Sequence, residues 1–376
     1  MALNNQKILN KLALWAKWLV SILLIVAIWV AENFPLWIEN NYSTGLYVII
    51  SAWLRILTGW IPFSLGDILY ILASVALLVK TIVAIRSIIK NRWNWNSVGL
   101  GFLKLVRFFM WIYIVFNILW GLNYSRLGIA HQLQLNKYKY SKQDVTLLTN
   151  DLIDKVNACR RAIKDTALPE PSLPSIFNEA KACYKTASAN FTFLSYQHQS
   201  IKISLYSPLG NYFGFTGYYN PFSGESQVRS DVPRVLIPYI ACHEMAHQLG
   251  YASESEANFV GYLAASSSAD VYFRYSVYLD LFDYAQREEI KTYIIDRDTS
   301  GLKNVIIQNR KNLDSLVKND RKKIRQFFFK RQNNISPIAS NIYDQYLKMN
   351  KQMAGINSYN EVIGWLLAYR KKYGKL

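Results

Sequence analysis

Pro238-Tyr239-Ile240-Ala241-Cys242-His243-Glu244-Met245-Ala246-His247-Gln248-Leu249-Gly250 is the stretch from which the rest of the chain is read. Proline suits a first helical turn, the residues after it have helical composition, and glycine suits the position just past a helix end, so one helix is expected here. On that helix His243 and His247, four residues apart, stand one turn apart on the same face, where both reach a single tetrahedral Zn2+. Glu244 projects beside them, placed to take a proton from metal-bound water and later pass it to a leaving amine. The chain holds only 4 His. Two fall in this pattern, while His131 and His198 have no partner at ligand spacing, and a pair of plain core histidines would not require so scarce a residue twice on one face.

The next stretch, Tyr251-Ala252-Ser253-Glu254-Ser255-Glu256-Ala257-Asn258-Phe259, must supply a third ligand. Ser253 and Glu256 have capping-box spacing for a second helix, which gives Glu256 a structural reason to exist. Glu254 has no such reason. It shares a face with Asn258, Gly261 and Ala265, and the last two are small enough to let this helix pack closely and antiparallel to the first. Glu254 then comes level with His247 as a ligand, and Asn258 comes level with His243, to orient it from outside. This favours Glu254 and keeps Glu256 as the alternative.

Upstream, long apolar runs crowd into roughly the first third of the 376 residues, which divides the chain into a membrane part, 1–123, and a globular part, 124–376. Three spans are expected, at about 12–31, 68–85 and 104–122, each near the length of a bilayer-crossing helix. The run 46–63 is apolar too, but Arg55 at its middle would cost about 2.5–3.5 kcal/mol at mid-bilayer, so a re-entrant or interfacial segment is expected there. Lys17 can snorkel, and Trp29-Val30-Ala31-Glu32 lacks the small-residue pattern of a signal-peptidase site. Arg86, Lys90, Arg92, Lys104 and Arg107, with no acidic residue among them, mark a cytoplasmic loop, and three Lys mark a cytoplasmic N-terminus. The connection with Glu32, Glu39 and Asp67 is then exoplasmic. Three spans satisfy this parity, and they place everything after about Asn123 in the periplasm or outside the cell.

In the globular part, Val145, Leu148, Leu152, Ile153 and Val156 recur at helical spacing behind a capping Ser141 and Asp144. Pro169, Pro171 and Pro174 separate this helix from one through Phe177, Ala180 and Tyr184, and the two are expected to form a hairpin. Phe191, Phe193 and then Ile201, Ile203, Leu205 alternate as short strands. After residue 256 the chain reads as helical to its end, with a basic run, 318–325, expected as a solvated face. The net charge of +18 is assigned to attraction for anionic lipid or wall polymer, since no nucleic-acid motif accompanies it. Three cysteines without a CxxC pair support neither a disulfide framework nor a cysteine zinc site, though Cys159 and Cys183 are candidates for a bridge.

The HExxH stretch followed by Glu254 and Asn258 resembles the glutamate-type zincins, in which a second helix carries Glu and, four residues on, Asp or Asn. A broader resemblance is to the bacterial membrane family catalogued as domain of unknown function 3810. It rests on Trp120-Gly121-Leu122-Asn123-Tyr124, on Gly214-Phe215-Thr216-Gly217-Tyr218-Tyr219-Asn220-Pro221-Phe222, and on the stretch from Cys242 to Phe259. What these resemblances imply is a mainly α protein: transmembrane helices, then a zincin-like α+β metallopeptidase domain with a small sheet. The zincin resemblance further implies an edge strand upstream of the motif, with 224–230 the candidate, to pair with substrate backbone. Tyr218, Tyr219 and Arg229 are nearby candidates to stabilise an oxyanion, with Arg274 also open; packing for the tyrosines and solvation for Arg229 are the plainer roles. The expected activity is peptide-bond hydrolysis in the cell envelope of a bacterium, using Zn2+ with Glu244 as base. Its competitors are a membrane scaffold without catalysis and a hydrolase of non-peptide amides. The expected partners are the bilayer and a peptide or protein substrate, not nucleic acid, with the oligomeric state open.

Overall fold

The computed structural model describes residues 2–90, 95–136, 139–164, 167–355 and 361–376. They fall into two compact units, one made of residues 1–51 with 65–127 and the other of residues 52–64 with 128–376. Residues 52–64, from the apolar first third of the sequence, group with the second unit.

The first unit contains α1 (Ala2–Ala31), α2 (Pro35–Trp37), a π-helical stretch (Ile38–Leu46), the start of α3 (Tyr47–Thr58), α4 (Leu65–Lys90) and α5 (Trp95–Leu119). The stretches 65–87 of α4 and 98–119 of α5 are long and apolar enough to cross a bilayer. Among the described residues, 15–31 and 35–58 also qualify as a pair, across a bend of 97°. Among the described residues, two helices, or three counting that bent pair, thus have the length and composition of spans. Almost every described side chain of α4 after Leu69 is exposed, which suits a helix solvated by lipid. Within this unit Arg126 clasps Glu39 with two bonds of 2.8 and 3.0 Å, both side chains buried. Such a fork is the strong form of an ion pair.

The second unit is mainly helical around a small sheet. Its elements are α6 (Gly128–Gln132), α7 (Lys142–Ala162), α8 (Leu173–Ser188), β1 (Ile201–Ile203), α9 (Gly210–Phe213), β2 (Gly217–Asn220), β3 (Glu225–Val228), α10 (Ile237–Gln248), α11 (Glu254–Ser266), α12 (Val271–Ile295), α13 (Thr299–Asn312), α14 (Ser315–Phe329), α15 (Ser336–Met349) and α16 (Val362–Tyr373). The capping box at Ser141 and Asp144 forms as expected, each side chain reaching the other's backbone N–H. The hairpin does not form. Helix α7 lies along α12 while α8 packs on α10 and α11, because the proline-rich connection lets α8 depart and Tyr184 anchors it, its hydroxyl donating to the Cys242 carbonyl at 2.6 Å. All three cysteines are buried and free.

The sheet order is β1-β3-β2, with β1 parallel and β2 antiparallel to β3. This corrects two expectations. The candidate substrate strand, 224–230, is the central strand, with no open edge, and Phe191–Phe193 belong to a short 3-10 turn instead of a strand. Helix α10 packs against β2, β3, α8, α11 and α12 and is buried on every side, with only Ile240 partly exposed. A helix in that position is apolar all round except where it carries function. Its polar residues therefore need partners, and the surrounding elements supply them.

Candidate metal centre

Helix α10 starts with Pro238 in its first turn and ends before Gly250, which has φ +81° and whose N–H returns to the His247 carbonyl at 3.0 Å. Both helix signals in the sequence are met. His243 and His247 lie on one face with ring centroids 4.9 Å apart, edge to face. The second helix comes as close as its small residues allow: a Cβ on Gly261 would stand 3.1 Å from the His243 backbone N and Cα. That approach delivers Glu254, whose Oε2 lies 3.2 Å from His243 Nε2 and 3.8 Å from His247 Nε2. All three side chains are buried. Among the described residues they form the one group of His, Cys, Asp or Glu whose donor atoms converge as metal ligands would, all within 4.8 Å of one another.

Glu256 is not part of it. Its carboxylate accepts the Ile129 N–H at 2.8 Å, against Gly128, and Ser253 caps α11 without any side-chain bond to its backbone. The expected capping box is thus replaced by a long-range contact. Asn258 is buried one turn after Glu254, its side chain contributes to raising the His243 pKa, and the Tyr239 hydroxyl donates to its carbonyl at 2.9 Å.

The ring of His247 is oriented by its own chain. Nδ1 lies 2.6 Å from the Tyr251 carbonyl, which can only accept, so Nδ1 carries the proton and Nε2 keeps its lone pair for the cluster. Glu254 is fixed through its other oxygen, since the Tyr343 hydroxyl of α15 donates to Oε1 at 2.7 Å, while its backbone N–H donates to Gln352 Oε1 at 3.0 Å. Neither Tyr343 nor Gln352 carries any signal in the sequence, about a hundred residues downstream. Tyr251 did carry one: it follows the glycine that ends the helix, four residues after the histidine it holds.

Burial dominates the electrostatics. It pushes the Glu244 carboxyl up to about 8 against the opposing charge of His243, and pushes the His247 imidazole down to about 4. At His243 burial acts downward but is outweighed by the hydrogen bond to Glu254 and the charges of Glu244 and Glu254, so its pKa rises. Glu254 is held low by the same hydrogen bond and by both imidazoles, again against burial. Among the described residues Oε2 of Glu244 has no hydrogen-bond donor, and Oε2 of Glu254 lies near the Nε2 atoms of the two imidazoles, of which that of His247 has no proton to give. Desolvating carboxylates without full pairing costs several kcal/mol per ion. A divalent cation would offset that cost, and the geometry suits one. Bonds of about 2.0–2.1 Å in a tetrahedron put ligand atoms roughly 3.3 Å apart, between the separations of 3.2 and 3.8 Å found here.

Glu244 stands beside this group, its side chain against β2. A Cβ on Gly217 would lie 2.6 Å from Glu244 Oε1 and 2.9 Å from the Gln227 carbonyl, so glycine at the start of β2 is required by the carboxylate behind it. The backbone of Glu244 is tied to the sheet by the Ser226 hydroxyl, which donates to its carbonyl at 2.8 Å. The remaining candidates serve elsewhere. Arg229, expected on the surface, is buried and bonds Asp231 through two atoms at 2.9 Å, with further bonds to Phe215 and Asn211. Tyr218 meets the Ser204 hydroxyl at 2.7 Å, Tyr219 is buried, and Arg274 donates to the carbonyls of Ser268 and Ala269. A cavity of about 710 Å3 has Thr216, Ile240, Asp280, Tyr284 and Arg287 in its lining, and no member of the cluster.

Against known proteins, a family model described as "Protein of unknown function (DUF3810)" matches residues 42–367. No curated protein and no solved structure matches the chain.

Proposed function

Because the chain belongs to that family, whose description assigns no activity, the site itself must carry the reading, and we propose a membrane-anchored zinc metallopeptidase with a zincin-like domain. One observation supports this above the others: a buried His243, His247 and Glu254 group with Glu244 next to it on the same helix. A purely structural metal site closes its coordination with four protein ligands and has no use for an additional carboxylate, whereas a hydrolytic site keeps one position open beside a base.

When bound at these three residues, zinc supplies Lewis acidity to a water and to the carbonyl under attack. The residues of the chain do the rest. Glu244 takes a proton on its uncommitted Oε2 and hands it to the leaving nitrogen; its tendency to retain a proton, created by burial, is countered by the positive charge of a neighbouring divalent ion, which brings it nearer to balance around neutral pH. Tyr251 keeps His247 in the ligating tautomer and Tyr343 aims Glu254. The edge strand next to Glu244 is β2, so β2 takes over the substrate-pairing role first expected of 224–230, with the peptide backbone running past Gly217.

The location follows from the positive-inside reading, in which the basic loop 86–107 is cytoplasmic and the second unit works on the outer side of the bacterial inner membrane. The test uses the full chain in detergent micelles. Metal analysis should find about one zinc per chain, absent in His243→Ala and His247→Ala, and Glu244→Gln should retain zinc while no longer cleaving envelope proteins that the wild type cleaves. A wild type without zinc, or a Glu244→Gln variant of unchanged activity, defeats the reading.

A further inference from the structure

The segment 52–64, which the sequence assigns to the membrane, makes its polar contacts with the frame of the metal site. Arg55 is 3% exposed. Its Nη1 donates to the Gln248 carbonyl at 3.4 Å and its Nη2 to the Gln197 carbonyl at 3.3 Å, with the guanidinium over the Tyr196 ring at 5.1 Å. Gln248 is the last residue of α10 and the neighbour of His247. The final carbonyls of a helix lack intrahelical donors and carry its negative dipole end, so a buried cation there is favourable on both counts.

The contact is reinforced from two sides. The Tyr196 hydroxyl beneath the guanidinium meets Gln248 Oε1 at 3.1 Å, and Gln248 Nε2 donates to the Gly224 carbonyl at 3.2 Å and to that of Ser200. Gly224, at φ +71°, lies so near the segment that a Cβ would stand 2.9 Å from Leu54 Cβ. Three residues beyond Arg55, Thr58 donates its hydroxyl to the Ser223 carbonyl at 2.9 Å, and its own carbonyl accepts from Lys202 Nζ at 2.7 Å. Lys202 also holds the Phe63 carbonyl at 3.1 Å and pairs with Glu225 at 2.5 Å, and Ser64 meets the Gln227 side chain at 3.0 Å. The segment is thus bonded to β1, to the β2–β3 turn, to β3 and to the end of α10.

We infer that residues 52–64 are a positioning element of the metal centre, with Arg55 fixing the end of the helix that carries His243 and His247. The inference rests on the zinc reading above. Groups that hydrogen-bond a metal ligand typically change metal affinity by about 10–100-fold; Arg55 acts one residue further out, on the Gln248 carbonyl, so the low end of that range is expected. A residue that served only overall folding would lower the melting temperature and leave affinity in the folded protein unchanged.

The experiment measures zinc affinity by chelator competition on full-length protein in micelles, with the metal-free melting temperature recorded for each variant. Arg55→Met should bind zinc about 10-fold more weakly. Arg55→Lys, which keeps the charge but reaches one carbonyl at a time, should fall between it and the wild type, and Arg161→Met, at an exposed pair with Asp314, should leave affinity alone. Thr58→Val removes one bond to the turn and should weaken zinc severalfold, so the inference stays exposed to refutation if Arg55→Met does not fold. Wild-type affinity in Arg55→Met, or in both Arg55→Lys and Thr58→Val, overturns it. A wild type that binds no zinc removes the metal reading and this inference together, a distinct result.

Discussion

Two buried charged groups in the second unit invite comparison, the Lys202–Glu225 pair and the His243–His247–Glu254 cluster. The ammonium of Lys202 has three protons and three acceptors around it, at Thr58, Phe63 and Glu225, so its account is closed by the protein alone. The cluster is arranged differently. Its two imidazoles point at one oxygen of Glu254, Glu244 Oε2 beside them has no donor among the described residues, and every group is buried. Equal burial with unequal satisfaction separates a group that stabilises a fold from one that waits for a ligand.

The sharpest way to break this contrast is to remove one member of each and ask whether zinc matters. Removing a ligand should have the largest effect. Spreading the roughly 10–16 kcal/mol of a four-ligand zinc site evenly gives about 2.5–4 kcal/mol per ligand, so His243→Ala should weaken zinc by a factor on the order of a hundred to a thousand. Isothermal calorimetry on the full chain reads this directly. In the wild type, excess zinc should also raise the melting temperature, by about 4 kcal/mol of stability at a thousand times the dissociation constant, and at the same zinc concentration that gain should fall to roughly 1 kcal/mol in the variant. Lys202→Met should instead cost about 3–5 kcal/mol in the metal-free protein by taking the cation away from the buried Glu225 carboxylate. The double variant Lys202→Met with Glu225→Leu should recover part of the loss. If the loss in Lys202→Met is instead fully reversed by zinc, the pair and the cluster are one system and the distinction drawn here is wrong.

The same contrast explains what could be read in advance. The two histidines, Glu254, Asn258 and Gly261 lie within a single pair of adjacent helices, so helical periodicity and residue size were enough to bring them together. Gly217 stood in a conspicuous Gly-Tyr-Asn stretch, yet its reason, a carboxylate at 2.6 Å from any Cβ, depends on a strand meeting a helix far along the chain. The segment 46–63 reads as re-entrant or interfacial because Arg55 is too costly at mid-bilayer. That cost is real, but the sequence had no means of displaying the alternative host, a helix end almost two hundred residues away. Strand order misled for a related reason: the central place of β3 is set by its parallel pairing with β1, a register such as Ile201 opposite Ser226 that no local pattern encodes. The hairpin failed because adjacency in sequence was taken for adjacency in space, whereas α7 found its partner in α12.

Tyr343 offers the finest test, since it belongs to the open cluster yet behaves as a closing contact. Its hydroxyl donates to Glu254 Oε1 and thereby turns Oε2 towards the imidazoles. Tyr343→Phe deletes one oxygen and leaves the ring, so packing changes little and the expected effect is that of an outer hydrogen bond, about 10-fold in zinc affinity or about 1.4 kcal/mol. Because the ring of Tyr343 is partly exposed, water can replace the hydroxyl as donor to Glu254, which caps the metal-free stability change at roughly 1 kcal/mol. An affinity loss that exceeds the stability loss would place Tyr343 with the cluster. Equal losses in both would place it with Lys202, as part of the frame.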